Sequence, residues 1–355
     1  MAKFMKKLLI GGALAACAGL WATAPRSFGN KRENYVPTMP NVMYAHRGLH
    51  DAGSGYSPQY EEGNRAYCEL ARKMAIKAGF GSEKEPGVIA PENSLAAFAA
   101  AAEAGFGMEL DLQLTADGQV VVLHDPDLLR VAGDPRRVKD LMYDDLTRIP
   151  LFPTCAPGAS KAPLRDGAEE NPPLVVTPDE APKGYYQHVP LFEDVLKVVD
   201  GRAPIIVEFK FADLNRWDDR DDELMEKASD LLQAYNGPYV VESFSPIAMN
   251  WYKNHYPSVC RGQLAIDPSQ LAKSNPVDVI AGSLGLNWLS RPDFVAYDWR
   301  NGNRNILKYE RKLGALCVAW TIRSDEELSK SLGNFDRFIF EGFIPSVTPD
   351  EITTE

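Results

Sequence analysis

The sequence predicts a (β/α)8 barrel of the TIM type, with a β-hairpin extension after its second strand and long loop insertions. Three observations carry that prediction. Short apolar segments recur at 42–45, 108–113, 204–210, 239–244, 260–265, 293–298, 317–321 and 338–341, which makes eight strands if 120–124 is a hairpin return. Helical patterns separate most of them, notably over 222–235, 247–255 and 325–332, as crossovers between parallel strands require. A chain of 355 residues, 45% apolar, can bury the single large core of such a barrel, and no internal repeat competes.

Taken in order, the chain opens on Lys3, Lys6 and Lys7 followed by an uncharged run over 8–24, the pattern of an export signal. Residues 1–25 therefore read as a signal or membrane anchor, 26–41 as a tether, 42–345 as the barrel and 346–355 as a C-terminal tail. The run is at the lower length limit for a helical span, so an uncleaved anchor is one reading. Leu14-Ala15-Ala16-Cys17 resembles a bacterial lipobox, which would lipidate Cys17, and Ala22-Thr23-Ala24 resembles a cleavage site weakened by Pro25. These readings place the barrel at the outer face of the cytoplasmic membrane, held by its N-terminus, or secreted. The net charge of −11 argues against nucleic acid as a partner. Five cysteines without CxxC spacing argue against a zinc cluster, and leave any disulfides unassigned.

The strand at 42–45 runs into His46-Arg47-Gly48, at the carboxyl end where α/β barrels place ligand contacts. Residues 49–89 form an insertion, a lid or rim, with a helix over 67–78. Pro91-Glu92-Asn93-Ser94 then opens a helix over 95–104, with Ser94 as N-cap and Gly105 and Gly107 ending it. Next comes the stretch 108–125, MELDLQLTADGQVVVLHD, whose alternation puts Glu109 and Asp111 on one strand face. Asp117-Gly118 suits a two-residue type I′ turn; cross-strand partners would then sum to 235, setting His124 opposite Asp111 and within reach of Glu109. Residues 126–190 are a connector, with a short helix over 138–151 and a Pro-rich loop over 155–184, and the stretch 188–193 begins the next helix, with Glu193 in its first turn.

Strand ends gather the chemistry. Glu208 and Lys210 are two apart and share a face, which in a barrel points at the axis. Glu109, Asp111 and Glu208 would repel one another there unless a cation bound them, and an all-oxygen acidic set suits Ca²⁺ or Mg²⁺. Arg47 and Lys210 add the cations that phosphate oxygens select, while His46 and His124 can move protons near neutral pH. The set is one for phosphoryl transfer. His50, His188 and His255 stand alone and read as loop or surface residues; Trp320 reads equally as a pocket wall or as core.

These residues resemble the glycerophosphodiester phosphodiesterase family. The matching text is Ala45-His-Arg-Gly48, Pro91-Glu-Asn-Ser94, Glu109-Leu-Asp111, Thr115-Ala-Asp-Gly118, Val121-Val-Leu-His-Asp125 with Leu129-Arg130, and Glu208-Phe-Lys210, with weaker matches at Ser243-Phe244, Arg261-Gly262 and Trp320-Thr321. The resemblance implies a metal-dependent hydrolase. His46 and His124 match the acid/base pair, Glu109, Asp111 and Glu208 the metal ligands, Arg47 and Lys210 the phosphate contacts, and Glu92 a supporting position. It also implies attack by the glycerol 2-hydroxyl on phosphorus, a cyclic phosphate, and its opening to glycerol 3-phosphate. Two departures stand out: the long 49–89 insertion, and Glu341-Gly342-Phe343 where the family carries Thr-Asp-x-Pro text. Alternatives are a phospholipase D-like enzyme on lysophospholipids or sphingolipids, and a non-catalytic envelope protein that binds phosphodiesters.

Overall fold

The computed structural model describes residues 17–27, 39–52, 61–153, 184–211, 216–270 and 276–346. Its strands are β1 (Met43–Ala45), β2 (Gly107–Leu114), β3 (Val120–Val122), β4 (Asp127–Leu128), β5 (Asp134–Arg137), β6 (Ile205–Phe209), β7 (Tyr239–Ser243), β8 (Arg261–Ala265), β9 (Phe294–Asp298), β10 (Leu316–Ile322) and β11 (Arg337–Phe340). The hydrogen-bonded order is β1-β11-β10-β9-β8-β7-β6-β2, and β1 also pairs with β2, so eight strands return to their start as a (β/α)8 barrel. β3 adds to β2 antiparallel, as the hairpin extension requires.

The chain divides into two compact units, one holding residues 40–239, 321–330 and those from 338 onward, the other residues up to 39, 240–320 and 331–337. In the first unit, β1 pairs in parallel with β2 and β11, and β2 with β6. Helices α1 (Glu61–Lys77) and α2 (Leu95–Ala104) pack against each other on the chain between β1 and β2. Helix α2 starts because Ser94 Oγ accepts from the Ala97 N–H, and stops because Gly105, at φ 80°, turns its N–H back onto the Ala101 and Ala102 carbonyls. Its alanine face lets the loop after β1 come very close: a Cβ on Gly48 would lie 2.9 Å from the Ala97 backbone. Insertion 49–89 is therefore no free lid where it is described. Its helix begins earlier than 67, and α1 buries Tyr67 edge-on against His50 and Phe340.

The hairpin corrects two expectations. Asp117 does not have positive φ, so Asp117-Gly118 is not a type I′ turn; only Gly118, at φ 73°, is left-handed. Thr115 N–H donates to the Gln119 carbonyl and Gly118 N–H to the Thr115 carbonyl, closing a three-residue loop with glycine last. Thr115 Oγ1 lies 2.6 Å from Asp117 Oδ1 and accepts from Gln119 N–H, which locks that loop. Partners consequently sum to 234: Leu112 faces Val122 and Leu114 faces Val120. Asp111 then lies opposite Leu123, whose N–H it accepts at 2.9 Å, and not opposite His124.

The connector after β3 holds more structure than its sequence pattern predicted. In place of one helix over 138–151 there is a 3₁₀ turn, Val138–Asp140, and a single helical turn, Tyr143–Leu146. Strands β4 and β5 form a separate antiparallel ribbon. Val121, Leu123, Leu128, Val131, Leu146 and Val189 bury a small core of their own beneath it. Residues 154–183 lie outside the described residues.

In the second unit, β7, β8, β9 and β10 pair in parallel register. Residues 17–23 are helical, and among the described residues no helix is long and apolar enough to cross a membrane. Arg26, expected in the polar tether, is instead buried, with Nε 2.8 Å from Asp293 Oδ1 and its Nη groups donating to the Pro257 and Val259 carbonyls. The signal or anchor over 1–16, the rest of the tether over 28–38 and Cys155 lie outside the described residues.

Candidate active site

Parallel register brings the acids together. Asp111 on β2 is opposite Glu208 on β6, and Ala45 on β1 is opposite Met108, which sets His46 beside Glu109. One oxygen from each of Glu109, Asp111 and Glu208 lies within 4.8 Å of the others, and all three residues are buried. Burial, then repulsion from Asp111 and Glu208, pushes the Glu109 carboxyl well above the usual range, and burial raises Glu208 as well. Burial also opposes ionisation of Asp111, but Lys210, His124 and Arg47 outweigh it and hold that carboxyl low. Burial and mutual repulsion thus work against ionising Glu109 and Glu208 beside Asp111, a cost that a bound divalent cation would relieve. An oxygen-only anionic set of this kind fits a hard ion such as Ca²⁺ or Mg²⁺.

Two cations stand beside the acids. Lys210 Nζ is 3.1 Å from Asp111 Oδ1 and 2.6 Å from Glu208 Oε1. Arg47 is held in a left-handed conformation at φ 56°, its N–H donating to Glu109 Oε2 at 3.0 Å and its carbonyl accepting from Asn93. Asn93 is left-handed too, at φ 55°, and its Nδ2 donates to Asp111 Oδ2 at 2.8 Å. Such backbone costs on the order of 1–3 kcal/mol per residue, here offset by buried, charge-assisted hydrogen bonds.

Glu92 is the middle of a relay of charges. It accepts from Arg47 Nη1 at 2.8 Å and, in two-pronged fashion, from Arg130 at 2.6 and 2.8 Å. Arg130 Nε donates to Asp125 Oδ2, whose other oxygen lies 2.7 Å from His124 Nδ1. Arg47 and His124 are thus tied together through two acids and an arginine.

His46 is oriented differently. Its Nδ1 lies 3.3 Å from Glu341 Oε2, so a proton on Nδ1 leaves Nε2, 4.0 Å from Glu109 Oε2, as the basic nitrogen. Burial, and then the charge of Arg47, push the His46 pKa down to about 4 even against Glu341. Glu341 also accepts from Arg323 Nη2 at 3.0 Å and lies 3.4 Å from His50 Nε2. His50 is fully buried, against the expectation of a loop or surface residue.

His46, Arg47, Glu92, Glu109, Asp111, His124, Glu208 and Lys210 all belong to one compact unit. Trp320 belongs to the other, where its half-buried ring packs edge-on against Phe244 at 5.9 Å. The pattern-based reading missed the roles of Asn93, Asp125, Arg130, Arg323 and Glu341. Glu341 had a usable signal: strand eight of a barrel pairs with strand one, so a residue following 340 must neighbour one following 45.

Buried acids, paired cations and two imidazoles, one following a parallel strand and one following the hairpin, are the groups that phosphodiester chemistry calls on in a barrel. The model of the glycerophosphoryl diester phosphodiesterase family matches residues 81–336, and the chain belongs to that family. A glycerophosphodiester phosphodiesterase of Bacillus altitudinis is 46% identical over 59 residues, 16% of this chain and 24% of that protein. A lysophospholipase D of Mus musculus is 28% identical over 165 residues, 46% of this chain and 40% of that protein. The structure of an Oleispira antarctica phosphodiesterase in complex with the product sn-glycerol-3-phosphate shares the fold, with a TM-score of 0.54 at 15% identity over 84% of this chain and 92% of that one. The chain spans about a quarter of the length of the Bacillus altitudinis protein and of two further curated relatives that it matches.

Proposed function

We propose that the protein hydrolyses glycerophosphodiesters to glycerol 3-phosphate and an alcohol, using His46 and His124 for proton transfer and Glu109, Asp111 and Glu208 to hold one divalent cation, Ca²⁺ or Mg²⁺. The observation that carries this reading is the convergence of three buried carboxylates, two cationic side chains and two separately oriented imidazoles in one unit. When bound, the cation would neutralise charge developing on the phosphate oxygens.

The chain's own groups divide the remaining work. Arg47 and Lys210, fixed by their acids, orient the non-bridging oxygens of the diester. His46 Nε2 accepts the proton of the glycerol 2-hydroxyl as that oxygen bonds to phosphorus. His124, with Asp125 on Nδ1, gives a proton from Nε2 to the leaving oxygen as its bond to phosphorus breaks. The cyclic phosphate then opens by the reverse transfers: His124 takes a proton from water and His46 returns its own to the 2-oxygen. Glu341 positions His46, and Glu92 positions Arg47 and Arg130.

Release of glycerol 3-phosphate from glycerophosphocholine, measured with Ca²⁺, with Mg²⁺ and with chelator, tests the reading. Tight binding without turnover in either metal would sink it in favour of a phosphodiester-binding protein. The mouse relative supports a second reading, a lysophospholipase D-like activity, which turnover confined to micellar lysolipid would establish. The basic and apolar N-terminal pattern supports attachment at the outer membrane face. Mass spectrometry decides its form: an intact Met1 excludes lipidation, and a diacylated Cys17 excludes an uncleaved anchor.

A further inference from the structure

We propose that the pocket of about 390 Å³ beside His124 receives the leaving alcohol and selects alcohols that carry a second anionic group, a phosphate or a carboxylate. The proposal rests on the hydrolytic reading above and specifies its substrate class. The same pocket is lined by His124, the proposed proton donor to the leaving oxygen, and by Lys210, a proposed phosphate contact. A diester seated on Lys210 with its leaving oxygen at His124 therefore directs its alcohol into this space. Phe211, Leu114 and Leu224 give it an apolar wall that accepts a carbon skeleton.

Charge on the remaining wall decides which alcohols fit. Four cationic side chains line the pocket, and two of them are committed: Lys210 to Asp111 and Glu208, and Arg220 to Glu223 and the Thr115 carbonyl. Its two acids are committed as well. Asp218 caps the helix Asp219–Ala234, accepting from the N–H groups of Arg220 and Asp221, and Asp221 Oδ2 accepts the Asp218 N–H in return. Arg137 and Lys139, both exposed, form no ion pair among the described residues. Asp127, opposite Arg137 in the β4–β5 ribbon, turns its Oδ1 to the Leu129 N–H.

The backbone beneath these two cations is fixed. Val138 between them is fully buried in the small core under the ribbon, so both side chains stand on a set platform at the pocket wall. Two cations without an acidic partner, in one lining with Phe211, Leu114 and Leu224, suit an alcohol that carries an anion on an apolar skeleton and disfavour a quaternary ammonium.

The test compares kcat/KM for four glycerophosphodiesters whose alcohols are glycerol, glycerol 3-phosphate, glycolate and choline. Preference for the second, the third or both over glycerol by several-fold, weakening from about 0.05 to about 0.5 M salt, supports the subsite, and which of the two is preferred separates phosphate from carboxylate as its ligand. In Arg137→Glu/Lys139→Glu, and in the milder Arg137→Gln/Lys139→Gln, the ratio of anionic to glycerol substrate should fall toward one. Equal rates for all four alcohols, or preference for choline, would overturn the subsite while leaving the hydrolytic reading standing. Turnover of none of the four overturns that reading, and the subsite with it.

Discussion

The two imidazoles of the site are held in opposite ways. His46 follows a parallel strand, its side chain is 16% exposed, and its Nδ1 meets Glu341 deep in the unit. His124 follows the hairpin extension, its side chain is 34% exposed, and its Nδ1 meets Asp125, which Arg130 and Glu92 tie back to Arg47. Burial keeps the first ring neutral, the form its proposed part as proton acceptor requires, at the cost of a weaker base; the second borders open space, where an alcohol could leave. Similar carboxylate contacts therefore support different duties because the solvent around them differs.

Removing either ring should lower kcat by roughly 10²–10⁴. The division of labour is tested by a substrate whose leaving group is nitrophenolate, which needs no protonation. His124→Ala should recover much of its loss on that substrate and His46→Ala should not; equal recovery would break the comparison.

The relay behind His124 should dominate folding. Glu92→Gln leaves the part-buried Arg47 and Arg130 with one charge too few, though each keeps a second carboxylate, a loss of about 3 kcal/mol read from denaturant midpoints. No change there would mean that water replaces Glu92.

Cation binding should add about 2.7 kcal/mol at a concentration near 100 Kd, seen as a rise in Tm. Because burial raises the pKa values of Glu109 and Glu208, cation binding should be linked to proton release, and the rise should be larger at pH 8 than at pH 5. A rise independent of pH would contradict that linkage.

Glu341→Gln should cost about 10–100-fold in kcat with little change in KM, the signature of a misplaced ring. Since Glu341 raises the His46 pKa against burial, its loss should carry the acidic limb of the rate profile to lower pH. The sign for stability is separate. His46 resists protonation down to about 4, whereas the unfolded chain takes that proton near 6.5, so its contribution is present above 6.5 and lost as pH falls toward 4. His46→Ala should flatten that part of the stability curve.

The smallest effect concerns the hairpin turn and the Glu223 and Lys227 side-chain ends that close over it. Gly118→Ala places a side chain at φ 73° and should cost about 1 kcal/mol, sensed at His124 and not at His46.

The hairpin also shows where pattern reading stops. Alternation along β2 marks which face Glu109 and Asp111 share, because side-chain direction is a local property of a strand. Asp117-Gly118 misleads by one residue, since the same dipeptide ends a three-residue loop once Thr115 bonds to Asp117 and Gln119. Arg130 and Asp125 were visible as text but not as partners. Each became part of the site only when the ribbon and its small core folded 126–138 back toward Glu92.

By itself the sequence determined the order of the eight barrel strands, the Ser94 cap, the acid pair on β2 and the Glu208-Lys210 pair on β6, because each follows from backbone periodicity within a few residues. Only the tertiary structure decided that Asp111 faces Glu208, that Glu341 holds His46, and that Glu92 joins Arg47 to Arg130. Those partners are distant in sequence, and their energies depend on burial, which makes charge costly unless paired and exists only once the strands have closed on one another.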